Sequence, residues 1–162
     1  MINRPTKLEY MSMELYDNEW TDAFKKLYAG DGEEKSAITT LRNIVEKSYD
    51  FAKGKSEKYS NGLECAFLAI ESSIESFLRS HTEFSVGGTD VETFIKKTLS
   101  LCWLMNIVDP PAILITESSG KFNTDLFKFY TKSGSKVDYV VWPAVFLHEG
   151  GPLICKGVAQ GK

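Results

Sequence analysis

Apolar residues recur at intervals of three and four along most of the first 108 residues, and this spacing predicts amphipathic helices. The first helix is expected from Pro5 to about Ala29, with an irregular step at Asp17-Asn18-Glu19 that predicts a kink or a break. A second helix is expected to begin at the capping-box pair Asp31 and Glu34 and to end before Gly54.

Two further helices are predicted in the middle of the chain. Asn61 with Glu64 caps the third, whose apolar face reaches Phe77. The fourth, from about Asp90 to Val108, is amphipathic at first and then apolar nearly all round from Leu99 to Met105. A helix that is apolar on every side lies in the middle of a domain.

The last quarter of the chain has a strand-like pattern. Residues 137–147 are rich in β-branched and aromatic residues, and the Trp142-Pro143 pair predicts extended backbone at an edge or a bulge. Gly150-Gly151 lies in a predicted turn, and Leu153 to Val158 forms a second, shorter strand. We therefore predict a β-hairpin; the alternative is two extended segments that pack without pairing.

Two segments before the hairpin are ambiguous. Ala112 to Thr116 fits either one helical turn or a short strand. Asn123 favours a helix from Thr124 to Ser133, but Phe127 to Thr131 also fits a strand that pairs with Val137 onward across Ser133-Gly134-Ser135. We favour the helix slightly.

These elements predict a mainly α (α+β) fold, with four to five helices packed around a C-terminal β-hairpin. Residues 1–162 are expected to form a single domain, helical over about 5–133 and with the hairpin at about 137–159.

The 43 % apolar fraction is that of a globular protein, and a net charge of −3 gives no general attraction to nucleic acid. No apolar run approaches the roughly 20 residues of a membrane span, and the N-terminus lacks an apolar signal core, so we expect a cytosolic chain without a transmembrane segment.

The residues that usually carry chemistry are few and scattered. His148-Glu149 has no second histidine four residues on, and His81 is the only other imidazole, so we predict no metal site. A Cys155–His148 nucleophile pair is conceivable, but no orienting partner or oxyanion motif accompanies it. We expect reduced, buried thiols at Cys65, Cys102 and Cys155, no cofactor and no enzymatic activity.

A local lysine cluster stands out against the acidic composition. Lys121, Lys128, Lys132 and Lys136 fall within sixteen residues, and Lys156 follows in the hairpin. In a helix from Thr124 to Ser133, Lys128 and Lys132 would share a face. Such a patch could bind anionic lipid head groups at ~1 kcal/mol per lysine. The alternative is ordinary solvation of lysines at a helix C-terminus.

Three stretches resemble the C-terminal domain of the mitochondria-eating protein family. They are LYDNEWTDAF at Leu15–Phe24, the Asp109-Pro110-Pro111 turn, and the block from Leu126 to Lys162, most distinctively VVWPAVFLHEGGPLICKGVAQ. The resemblance implies a non-enzymatic role in mitochondrial quality control. It also implies a cytoplasmic protein that associates with the mitochondrial outer membrane, assembles into oligomers and binds cardiolipin.

Because the resemblance implies cardiolipin binding, we take five lysines as candidate lipid-binding residues: Lys121, Lys128, Lys132, Lys136 and Lys156. A second candidate surface for structure or interaction consists of Trp142, Pro143, His148, Gly150 and Gly151, although turn geometry and packing also account for tryptophan and paired glycines. The alternative function is a protein–protein interaction or self-association scaffold without lipid binding.

Overall fold

The computed structural model describes residues 4–31, 33–56 and 73–162. Its helical segments are α1 (Arg4–Leu15), a π-helical stretch (Tyr16–Trp20), α2 (Thr21–Asp31), α3 (Glu34–Ser56), α4 (residues 73–80), a 3-10 helix (Thr82–Gly87) and α5 (Gly88–Ile107). The predicted start of the third helix, at Asn61 and Glu64, lies outside the described residues, as does Cys65.

The described residues also form six strands, which are β1 (Ile113–Ile115), β2 (Phe127–Phe129), β3 (Val137–Trp142), β4 (Ala144–Phe146), β5 (Leu153–Cys155) and β6 (Gly157–Gly161). They make two three-stranded sheets with the orders β1-β4-β5 and β2-β6-β3. The fold is therefore α+β with two sheets, and the prediction of a mainly helical domain around one hairpin is wrong. The additional strands β1 and β2 have three residues each, too few to show a clear alternating pattern.

The irregular step at residues 17–19 has a structural cause. The chain stays helical there but widens into a π-helix from Tyr16 to Trp20, and the Thr21 hydroxyl donates to the Tyr16 carbonyl at 3.2 Å. One extra residue per turn moves the apolar pattern forward without ending the helix. The Trp20 ring then stacks on Phe24 with 5.2 Å between their centroids.

The chain divides into two compact units, and the prediction of a single domain over residues 1–162 stays a prediction. The helical unit is Glu14–Asp109, and the sheet unit combines Met1–Met13 with Pro110–Lys162. In the helical unit, α5 packs on α3. Its apolar second half is buried as the sequence predicts, with Leu99, Leu101, Cys102, Trp103 and Met105 all largely excluded from solvent.

In the sheet unit, the C-terminal segment folds back on itself but is shared between the two sheets. β4 pairs with β5 across the Gly150-Gly151 turn, and β3 pairs with β6, both antiparallel. Pro143 separates β3 from β4, and Lys156 separates β5 from β6. Gly157 allows the main chains to meet at this point, because a Cβ there would lie 2.5 Å from the Trp142 carbonyl oxygen.

The segment before β3 differs from the helix favoured above. Asn123 caps only one turn, since its side chain accepts from the Asp125 amide at 2.9 Å and its carbonyl from the Leu126 and Phe127 amides. The chain then extends into β2, which buries Phe127 in a cluster with Phe122, Val137, Val140, Ala144 and Ala159. β2 runs parallel to β6 and does not pair with β3, so the alternative reading was right about the strand and wrong about its partner.

Candidate functional site

Two of the candidate lysines lie directly opposite each other. Lys121 and Lys136 form an antiparallel bridge, flanked by hydrogen bonds from the Phe122 amide to the Ser135 carbonyl and from the Val137 amide to the Gly120 carbonyl, both 2.9 Å. Residues paired in this way lie closer than hydrogen-bonded pairs, about 4.5 Å between Cα atoms. Both lysines are exposed.

A third lysine, which sequence reasoning missed, continues this pair. The Lys162 amide donates to the Lys136 carbonyl at 2.9 Å, and the Lys136 amide donates to the Lys162 carbonyl at 3.2 Å. This reciprocal pairing extends the register of Val137 with Gly161 by one residue. A hairpin prediction carried to residue 162 with its register fixed would have found Lys162.

Lys128 and Lys132 are exposed and lie beside β6 of the same sheet, not on the predicted helix. Lys128 pairs with Val158 on β6. The Lys132 amide donates to the Gln160 side-chain oxygen at 3.0 Å, and the Lys132 carbonyl accepts from the Gly161 amide at 2.9 Å. The side-chain Nε2 of Gln160 also donates to the Thr131 hydroxyl at 2.7 Å. The Gln160 side chain therefore fixes the backbone that carries Lys132.

Lys156 differs from the other candidates because its ammonium group already has a polar partner. Its Nζ donates to the Thr124 carbonyl at 2.9 Å. This bond connects the start of β6 to the turn before β2 and holds the side chain in place.

Charge is distributed unevenly between the two units. The sheet unit has eight basic and five acidic residues, a net of +3, whereas the helical unit has 11 basic and 17 acidic residues, a net of −6. Among the described residues, the lysine–carboxylate ion pairs belong to helices, with Lys96 on Glu92 and Lys97 on Glu19. No carboxylate of the described residues lies within 4.0 Å of the ammonium group of any candidate lysine.

Trp142 and Pro143 of the second candidate surface are both buried. The Trp142 indole nitrogen donates to the Ser12 hydroxyl at 3.2 Å, which connects β3 with α1 inside the sheet unit. The structure therefore gives these two side chains a packing environment.

His148, Gly150 and Gly151 form the turn between β4 and β5. Gly150 has a φ of +73°, a conformation that side chains disfavour. The His148 ring lies over Gly151, where a Cβ would come within 2.6 Å of it, and the Gly151 amide donates to the His148 carbonyl at 3.0 Å. The imidazole is thus part of the turn's own packing.

Cys155 is half-buried on β5, opposite Val145. Burial raises the pKa of its thiol and Glu9 raises it further, while a hydrogen bond with Ser12 and the charge of Lys128 act in the opposite direction. A raised pKa leaves little thiolate at neutral pH, which weakens the thiol as a nucleophile. Within the described ranges, no three His, Cys, Asp or Glu residues lie close enough together to hold a metal ion.

None of the described helices is long and apolar enough to cross a membrane.

Searches of curated proteins and of solved structures found no match to this chain. The family model described as mitochondria-eating protein matches residues 82–161, which include the 3-10 helix, α5 and all the strands named above. Leu15–Phe24, where a resemblance to the family is expected from the sequence, lies outside the matched residues. This family implies a role in mitochondrial quality control and is not known as an enzyme family. Residues 82–161, just under half of the chain, therefore match the mitochondria-eating protein family.

Proposed function

We propose that this chain is a non-enzymatic binding module in mitochondrial quality control, and that the lysines of its sheet unit bind anionic phospholipid, cardiolipin included, at the mitochondrial outer membrane. The observation that carries the proposal is the concentration of lysines without a carboxylate partner among the described residues, on a unit of net charge +3 within a chain of net charge −3. Charge asymmetry of this kind favours contact between one part of a protein and an anionic surface.

The strength of the contact follows from the number of lysines that reach the lipid. Each lysine near an anionic membrane contributes about 1 kcal/mol, so three together contribute about 3 kcal/mol, roughly a hundredfold in affinity. This attraction acts over a Debye length of about 8 Å at physiological ionic strength. Binding is therefore expected to weaken as salt is added.

Co-flotation of the 162-residue chain with liposomes tests the proposal. We expect flotation with cardiolipin-containing liposomes at low salt, less at physiological salt, and none with neutral liposomes. Reversing Lys128, Lys132 and Lys136 to glutamate should abolish flotation without unfolding the chain. The matched control reverses Lys25, Lys26 and Lys47, which are equally exposed in the helical unit, and should float as the unaltered chain does.

Two outcomes would contradict the proposal. A folded Lys128/Lys132/Lys136 variant that floats normally would remove this surface from lipid binding. No flotation in any condition would favour a protein-interaction scaffold instead, for which Tyr10 and Met13 on α1, 63 % and 49 % exposed, offer an apolar surface. Light scattering that shows a strict monomer at high concentration would then exclude self-association.

A further inference from the structure

Three lysines stand side by side at one end of the β2-β6-β3 sheet. Lys136 is directly opposite Lys121 on one side and Lys162 on the other. Directly opposed residues of antiparallel chains project from the same face, with Cα atoms about 4.5 and 5.5 Å apart for the two kinds of pair. Lys121, Lys136 and Lys162 therefore form one row on one face, called here the lysine row.

Like charges placed directly opposite each other destabilise a sheet. In the lysine row this happens twice, with Lys136 in both pairs, and no carboxylate among the described residues lies within 4.0 Å of the three ammonium groups. All three side chains are exposed, so a ligand could reach them. An anion that contacts two or three of them would remove the repulsion and gain their combined attraction.

The backbone beneath the row is held on both sides. Lys162 is paired with Lys136, and Gly134 lies against the Lys162 backbone, where a Cβ at Gly134 would be 2.5 Å from the Lys162 amide nitrogen. The Gly161 amide donates to the Lys132 carbonyl at 2.9 Å. A backbone fixed in this way sets the spacing of the Cα atoms from which the three lysines extend, so the main chain needs no ordering on binding.

We infer that the lysine row is a binding site for a ligand with two or more closely spaced phosphate groups, with Lys136 at its centre. The inference rests on the proposed function in taking this surface as anion-binding, and it assigns the ligand class and adds Lys162. A single phosphate group spans one pair of the row, whereas two linked phosphates reach all three lysines. Such phosphates could belong to a lipid head group or to a soluble polyphosphate.

Calorimetric titration of the 162-residue chain at low salt tests the ligand class. Inorganic phosphate, pyrophosphate and tripolyphosphate serve as probes. We expect tripolyphosphate to bind at least tenfold more tightly than phosphate and to raise the melting temperature. Lys136→Gln should weaken tripolyphosphate binding at least tenfold, and Lys121→Gln and Lys162→Gln somewhat less.

Lys26→Gln, an exposed lysine of the helical unit, is the matched control and should bind within twofold of the unaltered chain. Without ligand at low salt, Lys136→Gln should melt at the same temperature as the unaltered chain or slightly higher, because it removes two repulsive pairs. This combination of undiminished stability and lost binding separates a binding role from a structural one. Equal binding of phosphate and tripolyphosphate, or normal binding by folded Lys136→Gln, would overturn the inference.

Vesicles separate the lysine row from the proposed function and identify the source of the phosphates. Cardiolipin vesicles are compared with phosphatidylglycerol vesicles of equal surface charge, using the unaltered chain and Lys136→Gln. Tripolyphosphate binding at the row without flotation would support the row with a soluble ligand and contradict lipid binding. If Lys136→Gln leaves both flotation and tripolyphosphate binding unchanged, lipid binding through other residues is supported and the row is contradicted.

Discussion

At the scale of single residues, two glycines in unlike surroundings should respond oppositely to the same substitution. At Gly157, a Cβ would lie 2.5 Å from the Trp142 carbonyl oxygen and 2.7 Å from the Ala144 nitrogen, which are main-chain atoms with little room to move. At Gly54, near the end of α3, a Cβ meets nothing within 4 Å.

We expect Gly157→Ala to lower the free energy of unfolding by about 1–3 kcal/mol, because overpacking forces the backbone apart. Gly54→Ala should raise it by about 0.5–1 kcal/mol, because alanine loses less conformational entropy in a helix. Urea denaturation of both variants measures the difference. Midpoints that move in the same direction would contradict the packing described at Gly157.

Cys102 should make the chain less stable in alkali. It is 1 % exposed on α5, and burial, with a smaller effect of Asp50, holds the pKa of its thiol far above the ordinary value. The unfolded thiol ionises near pH 8.5 and the folded one does not, so the stabilisation is complete below that pH and is lost as the pH rises above it. At pH 9.5 the loss is about 1.4 kcal/mol.

Urea denaturation at pH 7 and pH 9.5, under reducing conditions, measures this loss. Cys102→Ala should show a pH-dependent loss about 1.4 kcal/mol smaller than that of the unaltered chain. Burial, with smaller effects of Cys102 and Asp50, raises the pKa of Tyr49, and the hydrogen bond to Glu19 raises the pKa of Lys97. Further destabilisation is therefore expected above pH 10 in both proteins, with a smaller part from Tyr49 in Cys102→Ala. An equal pH-dependent loss in the two proteins would show that the Cys102 thiol ionises alike folded and unfolded.

At the scale of elements, the sequence was informative where the pattern was long. The twenty-residue α5 has an apolar second half, and its burial was predictable from that run alone. The antiparallel pairing around Gly150-Gly151 was predictable because turn residues separate two β-rich arms that are neighbours along the chain. Local signals specify local structure in both cases.

β2 shows why the short strands and their pairing were not predictable from the sequence. Its three residues follow Asn123, a good helix cap, and its apolar positions fit a helix as well as a strand. Its partner β6 lies about 30 residues later and runs parallel to it, so no turn signal connects the two. Tertiary pairing decided a local conformation that propensity left nearly balanced.

The candidate lysines were found by clustering along the chain, but their arrangement was not. The predicted helical face joined Lys128 with Lys132, whereas the sheet places Lys136 between Lys121 and Lys162. Cross-strand neighbours depend on register, and the register shifts within β3 cannot be inferred from composition. Which of these lysines bind a ligand stays a prediction.

At the scale of the whole molecule, the two units have opposite net charge, +3 for the sheet unit and −6 for the helical unit. The overall value of −3 therefore understates the attraction of the sheet unit for anions. A negatively charged surface therefore attracts the sheet unit and repels the helical unit.

The matched segment 82–161 does not coincide with either unit, and this has a consequence for its folding. It contains α5 without α3, against which α5 packs, and the strands without α1. Phe94, Trp103 and Met105, each at most 1 % exposed, belong to the helical unit, whose other α-helices the segment lacks. In the sheet unit, Trp142 would lose its partner Ser12.

We therefore expect a fragment of residues 82–161 not to fold cooperatively, whereas the 162-residue chain does. Each large side chain re-exposed costs about 1.5–3 kcal/mol, and a few of these equal the 5–15 kcal/mol stability of a whole domain. Urea titration followed by circular dichroism, together with binding of a hydrophobic dye, compares the two proteins. The fragment should give a broad transition and bind dye, and a sharp transition at the midpoint of the full chain would show that the matched segment is self-sufficient.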